Sequence, residues 1–333
     1  MLAKTKQMDK EVSQKNKCKI CGNSKDNILF TAKEMMYGFR DQFHYFQCNN
    51  CHCLQIKSFP TDISRYYPTN YYSFGKYDGK KFKGLSGLIK RKRYSFLLTG
   101  NDFISTITDL FSGTKYDILR GLEINKKTKI LDVGCGNGKK FLYPLAEIGF
   151  KNLKGCDPFL NSSLSYDNGL EIQNSTISDV KGKWDIITYH HSFEHIPNPL
   201  ENLKKVCELL EPDGVCILRI PTVSSFAWEE YGVNWVQLDA PRHFFLHSKK
   251  SMQLLGEKSN LELYKVEYDS SHFQFTGSEK YIKDIPLRSS KSKGFMKFLK
   301  EKLKQREYQK KAELLNKQGE GDQAAFFFRN SGD

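Results

Sequence analysis

The stretch KTKILDVGCGNGKKFLYPLAEIGF, residues 127–150, changes character twice within 24 residues. Lys129 to Val133 is the short apolar run of a buried strand, and Leu142, Leu145 and Ile148 recur at helical spacing until Gly149. Between them Gly134, Gly136 and Gly138 let the backbone turn sharply and let a ligand approach both the main chain and the start of the following helix. By itself such a glycine pattern is common, so the flanking segments have to decide what it serves.

They continue the same alternation. A second strand, NLKGCD, ends in Asp157 about twenty residues after the loop, where doubly wound sheets place an acid that accepts hydrogen bonds from ribose hydroxyls. Further strands are expected at Leu170 to Gln173, Trp184 to Tyr189 and Gly214 to Ile220, with a helix over Leu200 to Leu210. The pattern predicts an α/β fold built on a doubly wound, Rossmann-like sheet that binds a nucleoside. Leu261 to Asp269 and Ala324 to Asn330 read as two later strands.

Upstream, Cys18 and Cys21 form one C-x2-C pair, and Cys48 and Cys51 form another after 26 intervening residues. Two such knuckles can place four thiolates at the corners of a tetrahedron, the closed geometry of structural Zn²⁺. Gly22 suits the tight turn, and His52 and Cys53 are bystanders once Cys51 completes the set. A closed site leaves no position for Lewis-acid chemistry, so a structural role or a docking surface is expected. Cys135, Cys156, Cys207 and Cys216 read as small buried residues.

With these residues in hand, the chain resembles the class I S-adenosylmethionine-dependent methyltransferases. ILDVGCGNG stands for the family's cofactor loop, Asp157 for its ribose-binding acid, and WDIITYHHSFEHIPNP for its fourth strand and trailing loop. The glycines fall as G-x-G-x-G after Asp132, whereas dinucleotide sites usually read G-x-G-x-x-G. The resemblance implies that Asp132, Gly134, Cys135, Gly136, Gly138, Asp157, Ser175, Thr176 and His190 bind the cofactor. It also implies a seven-stranded sheet with an antiparallel last strand, preceded by a small zinc ribbon. The cysteine-rich front, RYYPTNYYSF, EHIPNP, DAPRHFFLHS and GDQAAFFF together look like bacterial methyltransferases with an N-terminal zinc-binding domain, several of which modify deoxysugars or surface polysaccharide intermediates. The expected layout is a flexible basic N-terminus (1–17), the ribbon (18–60), a Tyr-rich and basic helical linker or lid (61–105), and a methyltransferase domain (106–333) with a Lys-rich helical insertion at about 276–322.

Methyl transfer needs an in-line acceptor nucleophile and a base for its proton. Glu194 and His195 follow the fourth strand at the carboxyl edge of the sheet, where His195 can act as base and Glu194 can orient it. His243 is a second base candidate on the long aromatic segment Phe226 to His247, which reads either as a lid over the acceptor or as core packing. On that segment Trp235 could stack on a sugar or ring and Arg242 could hold an anionic group. Tyr71 and Tyr72, the second of two tyrosine doublets after Tyr66 and Tyr67, could fold over the acceptor.

The formal charge is +14, from 52 Lys and Arg against 38 Asp and Glu. Residues 1–17, 76–93 and 280–311 carry +3, +7 and +9, together +19, so the rest of the chain carries −5. Basicity confined to three segments argues against nucleic acid and leaves two readings, solvated helix faces or weak contact with an anionic membrane surface. In the inserted helix Phe295, Leu299 and Leu303 recur at i, i+4, i+8 as the expected packing stripe. No run of about 18 apolar residues exists and the start lacks a secretory signal. A cytoplasmic enzyme is expected, at most peripheral to the inner face of the membrane. The expected activity is methyl transfer to a sugar, as nucleotide-sugar or glycan intermediate in polysaccharide biosynthesis, or to another small hydroxylated metabolite. An RNA or protein methyltransferase, or a non-catalytic cofactor-binding partner protein, are the alternatives.

Overall fold

A computed structural model describes residues 12–13, 16–67, 75–99, 117–119, 121–289 and 295–332. The front of the chain forms β1 (Val12–Ser13), β2 (Asn27–Lys33), β3 (Gln42–Gln47) and β4 (Leu54–Ile56), followed by helix α1 (Gly84–Thr99). The central unit then alternates as β5 (Ile130–Val133), α2 (Leu142–Glu147), β6 (Leu153–Cys156), β7 (Leu164–Ser165), β8 (Glu171–Gln173), β9 (Trp184–His190), α3 (Pro199–Leu209) and β10 (Leu210–Pro221). It ends with α4 (Phe226–Tyr231), β11 (Phe245–Leu246), α5 (Lys249–Lys258), β12 (Leu261–Tyr268), α6 (Phe273–Ile282), α7 (Phe295–Gln318) and β13 (Gln323–Asn330). No helix among the described residues is long and apolar enough to cross a membrane.

The main sheet has order β12-β13-β10-β9-β5-β6-β8-β7. Strands β10, β9, β5, β6 and β8 run parallel, while β13 lies antiparallel between β10 and β12. The expected count of seven is corrected to eight, because the two-residue β7 pairs antiparallel with β8 at the edge. Strand β13 is apolar without alternation because both of its faces are covered. Phe326 and Phe328 pack with Leu218 and Ile220 on one face, and Phe327 packs with Ile217 on the other.

The cysteine-rich front is not a separate bead. Its strands form a second sheet of order β1-β2-β3-β4-β11, in which β11 comes from the long segment after β10 and pairs antiparallel with β4. Cys18, Cys48, Cys51 and Cys53 belong to the same apolar cluster as Leu131, Ile187 and Phe328 of the main sheet. On the other side Phe30, Tyr45, Leu54 and Ile56 pack with Trp228, Trp235 and Leu246.

The Lys-rich insertion is helical over α6 and α7; of the expected packing stripe, the side chains of Phe295 and Leu299 lie outside the described ones. Leu303 is exposed, while Ala312 and Leu315 are buried against Phe275 of α6. Lys311 lies 4.2 Å over the Phe226 ring, so part of this positive charge covers aromatic surface.

Candidate functional site

A cavity of about 620 Å³ opens at the carboxyl ends of β5, β6, β8 and β9, where parallel sheets of this kind present their ligand sites. Its lining includes Asp132, Gly134, Cys135, Gly136, Asp157, Ser175, Thr176 and His190. Gly138 sits one layer below. Its missing Cβ makes room for Ile172 Cδ1, which would otherwise lie 2.6 Å away.

The loop after β5 is held in shape by its own acids. Asp157 accepts the Gly136 N–H on Oδ2 at 2.8 Å and the Phe159 N–H on Oδ1 at 2.9 Å, and burial raises its carboxyl above the usual range. Asp132 is 2% exposed and accepts from Thr188 Oγ1 at 2.9 Å. Gly134 has φ +69°, and a Cβ there would stand 2.4 Å from Ser192 Cβ, so both backbone and space demand glycine. The Ser175 hydroxyl is buried and has no partner among the described residues. Two acids, an unpaired hydroxyl and a bare turn suit an amino-acid nucleoside carrying ribose hydroxyls and positive charge.

His195 also lines the cavity and donates from Nδ1 to the Arg242 carbonyl at 2.7 Å. His195 and His243 face each other edge to face with ring centroids 4.8 Å apart, and His243 Nε2 lies 3.8 Å from Glu194 Oε1. The three catalytic candidates of the sequence are thus neighbours, although only His195 lines the cavity. Burial pushes the Glu194 carboxyl up to about 8 and, with His243 adding to it, pushes the His195 imidazole down to about 3. Burial lowers His243 as well.

Two expected substrate contacts are corrected. Trp235 is fully buried, donates from Nε1 to Asp322 at 2.9 Å and packs on Trp228, away from the cavity. Arg242 is 1% exposed and its guanidinium is occupied. It donates to Glu34 at 2.9 Å, to Asp239 at 2.6 and 3.0 Å and to the Tyr66 carbonyl at 3.1 Å, which leaves no free edge for an anionic group. Tyr71 and Tyr72 lie outside the described residues. Tyr67, from the first doublet, lines the cavity and stacks on Phe159 at 5.9 Å. Ser192, Phe159 and Ile177 also line it without being singled out by the sequence. Of these, Ser192 precedes the Glu-His pair and could be found from that motif.

Residues 108–266 match the family described as methyltransferase domain. A ubiquinone biosynthesis O-methyltransferase of Haemophilus ducreyi is 33% identical over 164 residues, covering 44% of this chain and 69% of that protein. The chain belongs to the class I S-adenosylmethionine-dependent methyltransferases. A tRNA U34 carboxymethyltransferase of Helicobacter pylori is 27% identical over 127 residues, covering 34% of this chain and 48% of its own length. A solved S-adenosylmethionine-dependent methyltransferase of Thermotoga maritima, described as a possible histamine N-methyltransferase, overlays 73% of this chain and 96% of itself with TM-score 0.40 and 16% identity.

In this methyltransferase the four front cysteines converge. Cys18 and Cys51 sulfurs are 3.5 Å apart, as are Cys21 and Cys48, and all four lie within 4.8 Å of one another. Gln55 Nε2 donates to Cys18 Sγ at 3.1 Å, the Ile20 N–H donates to the same sulfur at 3.4 Å, and Asn23 Nδ2 donates to Cys48 Sγ at 3.8 Å. N–H groups aimed at clustered sulfurs suit thiolates, and buried thiolates need a cation among them, so the residues fit a tetrahedral Zn²⁺.

Proposed function

We propose that the protein moves a methyl group from S-adenosylmethionine to a hydroxyl of a small ring-bearing acceptor, and that Cys18, Cys21, Cys48 and Cys51 hold a structural zinc ion. The carrying observation is that one cavity is lined both by Asp132, Asp157 and Ser175, with its unpartnered hydroxyl, and by His195. When bound, S-adenosylmethionine supplies a methyl group on a positively charged sulfur and leaves as neutral S-adenosylhomocysteine. Asp157 and Ser175 are placed to meet polar groups of the nucleoside, while Asp132 adds negative charge at the loop. His195 is the polar group assigned to the acceptor, whose hydroxyl must give up its proton. Tyr67 stacked on Phe159 provides a flat apolar wall for a ring.

Oxygen as the accepting atom is supported by the name of the Haemophilus ducreyi relative. Neither curated relative described above is named for a sugar, so the acceptor is drawn here as a small hydroxylated ring, with the sugar expected from the sequence as one member of that class.

Calorimetry should detect S-adenosylhomocysteine binding to the wild type and none to Gly136→Arg. An inert wild type overturns the proposal. Transfer of labelled methyl to sugar nucleotides and to hydroxylated aromatic rings should then fall by about 10²–10⁴-fold in His195→Ala while nucleoside affinity holds. Nucleoside binding with no methylation of either panel would favour a non-catalytic partner protein instead.

A further inference from the structure

The Glu194–His195–His243 cluster is built more elaborately than a lone proton acceptor requires. Both imidazoles are fixed in one tautomer, His195 by its Nδ1 bond to the Arg242 carbonyl at 2.7 Å and His243 by a 2.7 Å bond from Nδ1 to the Gln237 carbonyl. Each ring therefore keeps a lone pair on Nε2. Glu194 is fully buried, and neither of its oxygens has a hydrogen-bond partner among the described residues. Its Oε1 lies 3.8 Å from His243 Nε2 and 3.6 Å from His191 Nδ1. His191 takes a 3.0 Å bond from Arg219 on Nε2, so its Nδ1 carries the proton that faces the carboxylate.

Taken together these groups make an incomplete set. A carboxyl removed from water without a hydrogen-bond partner either keeps its proton or meets a cation, and a cation brought to it can displace that proton. A histidine that donates its other N–H to a backbone carbonyl is oriented as metal-bound histidines are. One ligand atom from each of Glu194, His195 and His243 lies within 4.8 Å of the other two, close enough for one ion to touch all three after small side-chain movements. Two imidazoles and one carboxylate favour a first-row divalent ion such as zinc, cobalt or manganese over magnesium or calcium, which take mostly oxygen.

We propose that Glu194, His195 and His243 bind a first-row divalent cation beside the cavity, a second metal site separate from the four cysteines. Asp239 stands behind it, with Oδ2 3.8 Å from His243 Nε2 and paired to Arg242. Because three protein ligands leave an open position and His195 also lines the cavity, an acceptor hydroxyl arriving there can meet the ion and become a stronger acid. The site itself rests on geometry, and its part in methyl transfer rests on the function proposed above.

Full-length, zinc-loaded protein titrated with Co²⁺ tests this directly. Cobalt held by thiolates gives intense near-ultraviolet charge-transfer absorption, whereas cobalt held by two imidazoles and a carboxylate gives visible d–d bands alone. The expected result is about one equivalent of the second kind. The near-isosteric Glu194→Gln and His243→Gln variants should each bind it about tenfold or more weakly. No such cobalt in the wild type, or wild-type affinity in either folded variant, overturns the site. S-adenosylhomocysteine calorimetry on the same samples separates the two proposals. Nucleoside binding without cobalt uptake removes the metal site and leaves the methyltransferase reading standing, whereas absent nucleoside binding removes that reading.

Discussion

Asp322 shows how one buried residue can contribute to the pH response of the whole fold. It is 2% exposed and accepts the Trp235 indole N–H at 2.9 Å, and burial pushes its carboxyl from 3.8 up to about 6. A raised folded value means that the native state holds the proton more tightly than the unfolded chain does. The contribution of this group to stability is therefore full below about pH 4 and is lost as pH rises through 6. A rise of this size corresponds to about 3 kcal/mol as an upper figure. Asp322→Asn keeps an acceptor for Trp235 and removes the charge. Its melting temperature should fall less between pH 4 and 7 than that of the wild type and should exceed that of the wild type at pH 8. A variant with an undiminished slope would exclude Asp322 as a contributor. At this same scale the cofactor loop is legible, because glycine spacing and the acids Asp132 and Asp157 answer to local backbone geometry. Trp235 is not, because an aromatic on a long connection looks alike in sequence whether it meets a ligand or Asp322, which lies 87 positions away.

Among the elements, α7 separates adjacent leucines sharply. Leu315 is 5% exposed against Phe275 and Ala312, whereas Leu314 is 56% exposed. Leu315→Ala should destabilise the protein by about 2–3 kcal/mol, because it opens a cavity at the only place where this long helix meets apolar partners among the described residues. Leu314→Ala should stay within about 0.5 kcal/mol. Chemical denaturation of both variants checks the register, and equal losses would show that the helix face is wrong. Lysines spread around the whole circumference leave the sequence no single apolar stripe. The expected stripe through Leu303 follows spacing alone, whereas packing is set by where α6 lies. The sheet strands are easier to place, because unbroken runs such as Ala324 to Phe328 can be buried in only a few ways.

Across the whole molecule, one tie between the cysteine-rich front and the catalytic unit is an ion pair that no local pattern announces. Glu34 accepts the N–H groups of Tyr37, Gly38 and Phe39 and then meets Arg242, 208 positions later, with both side chains essentially buried. The Arg242 carbonyl in turn fixes His195, so this ion pair links the front of the chain to a residue of the cavity lining, which Tyr67 of the front also joins directly. Glu34→Gln leaves Arg242 with Asp239 as its one remaining carboxylate partner among the described residues, so the charge stays compensated and chemical denaturation should show a loss of about 1–3 kcal/mol. Because the two parts share a core and a sheet, the wild type should unfold in a single calorimetric transition. Two well-separated transitions would show that the front folds on its own. The individual residues Glu194, His195 and His243 can be picked out from motifs. Their meeting cannot, since it depends on the long segment after β10 folding back to pair with the cysteine-rich front.

That fold-back bears on how the protein can be divided. Strand β11 is only Phe245 and Leu246, and its partner β4 lies in the first sixty residues. A chain cut to begin at residue 106 would uncover this strand's edge and, beside it, the indole of Trp228 that now packs 5.1 Å from Phe30. Bare edges next to apolar surface invite intermolecular pairing. The shortened protein should therefore be recovered mainly as aggregate, and a monodisperse, nucleoside-binding fragment would show that the catalytic half is self-sufficient. For anyone wishing to recombine such enzymes, a cut near residue 60 is expected to divide a shared sheet and core.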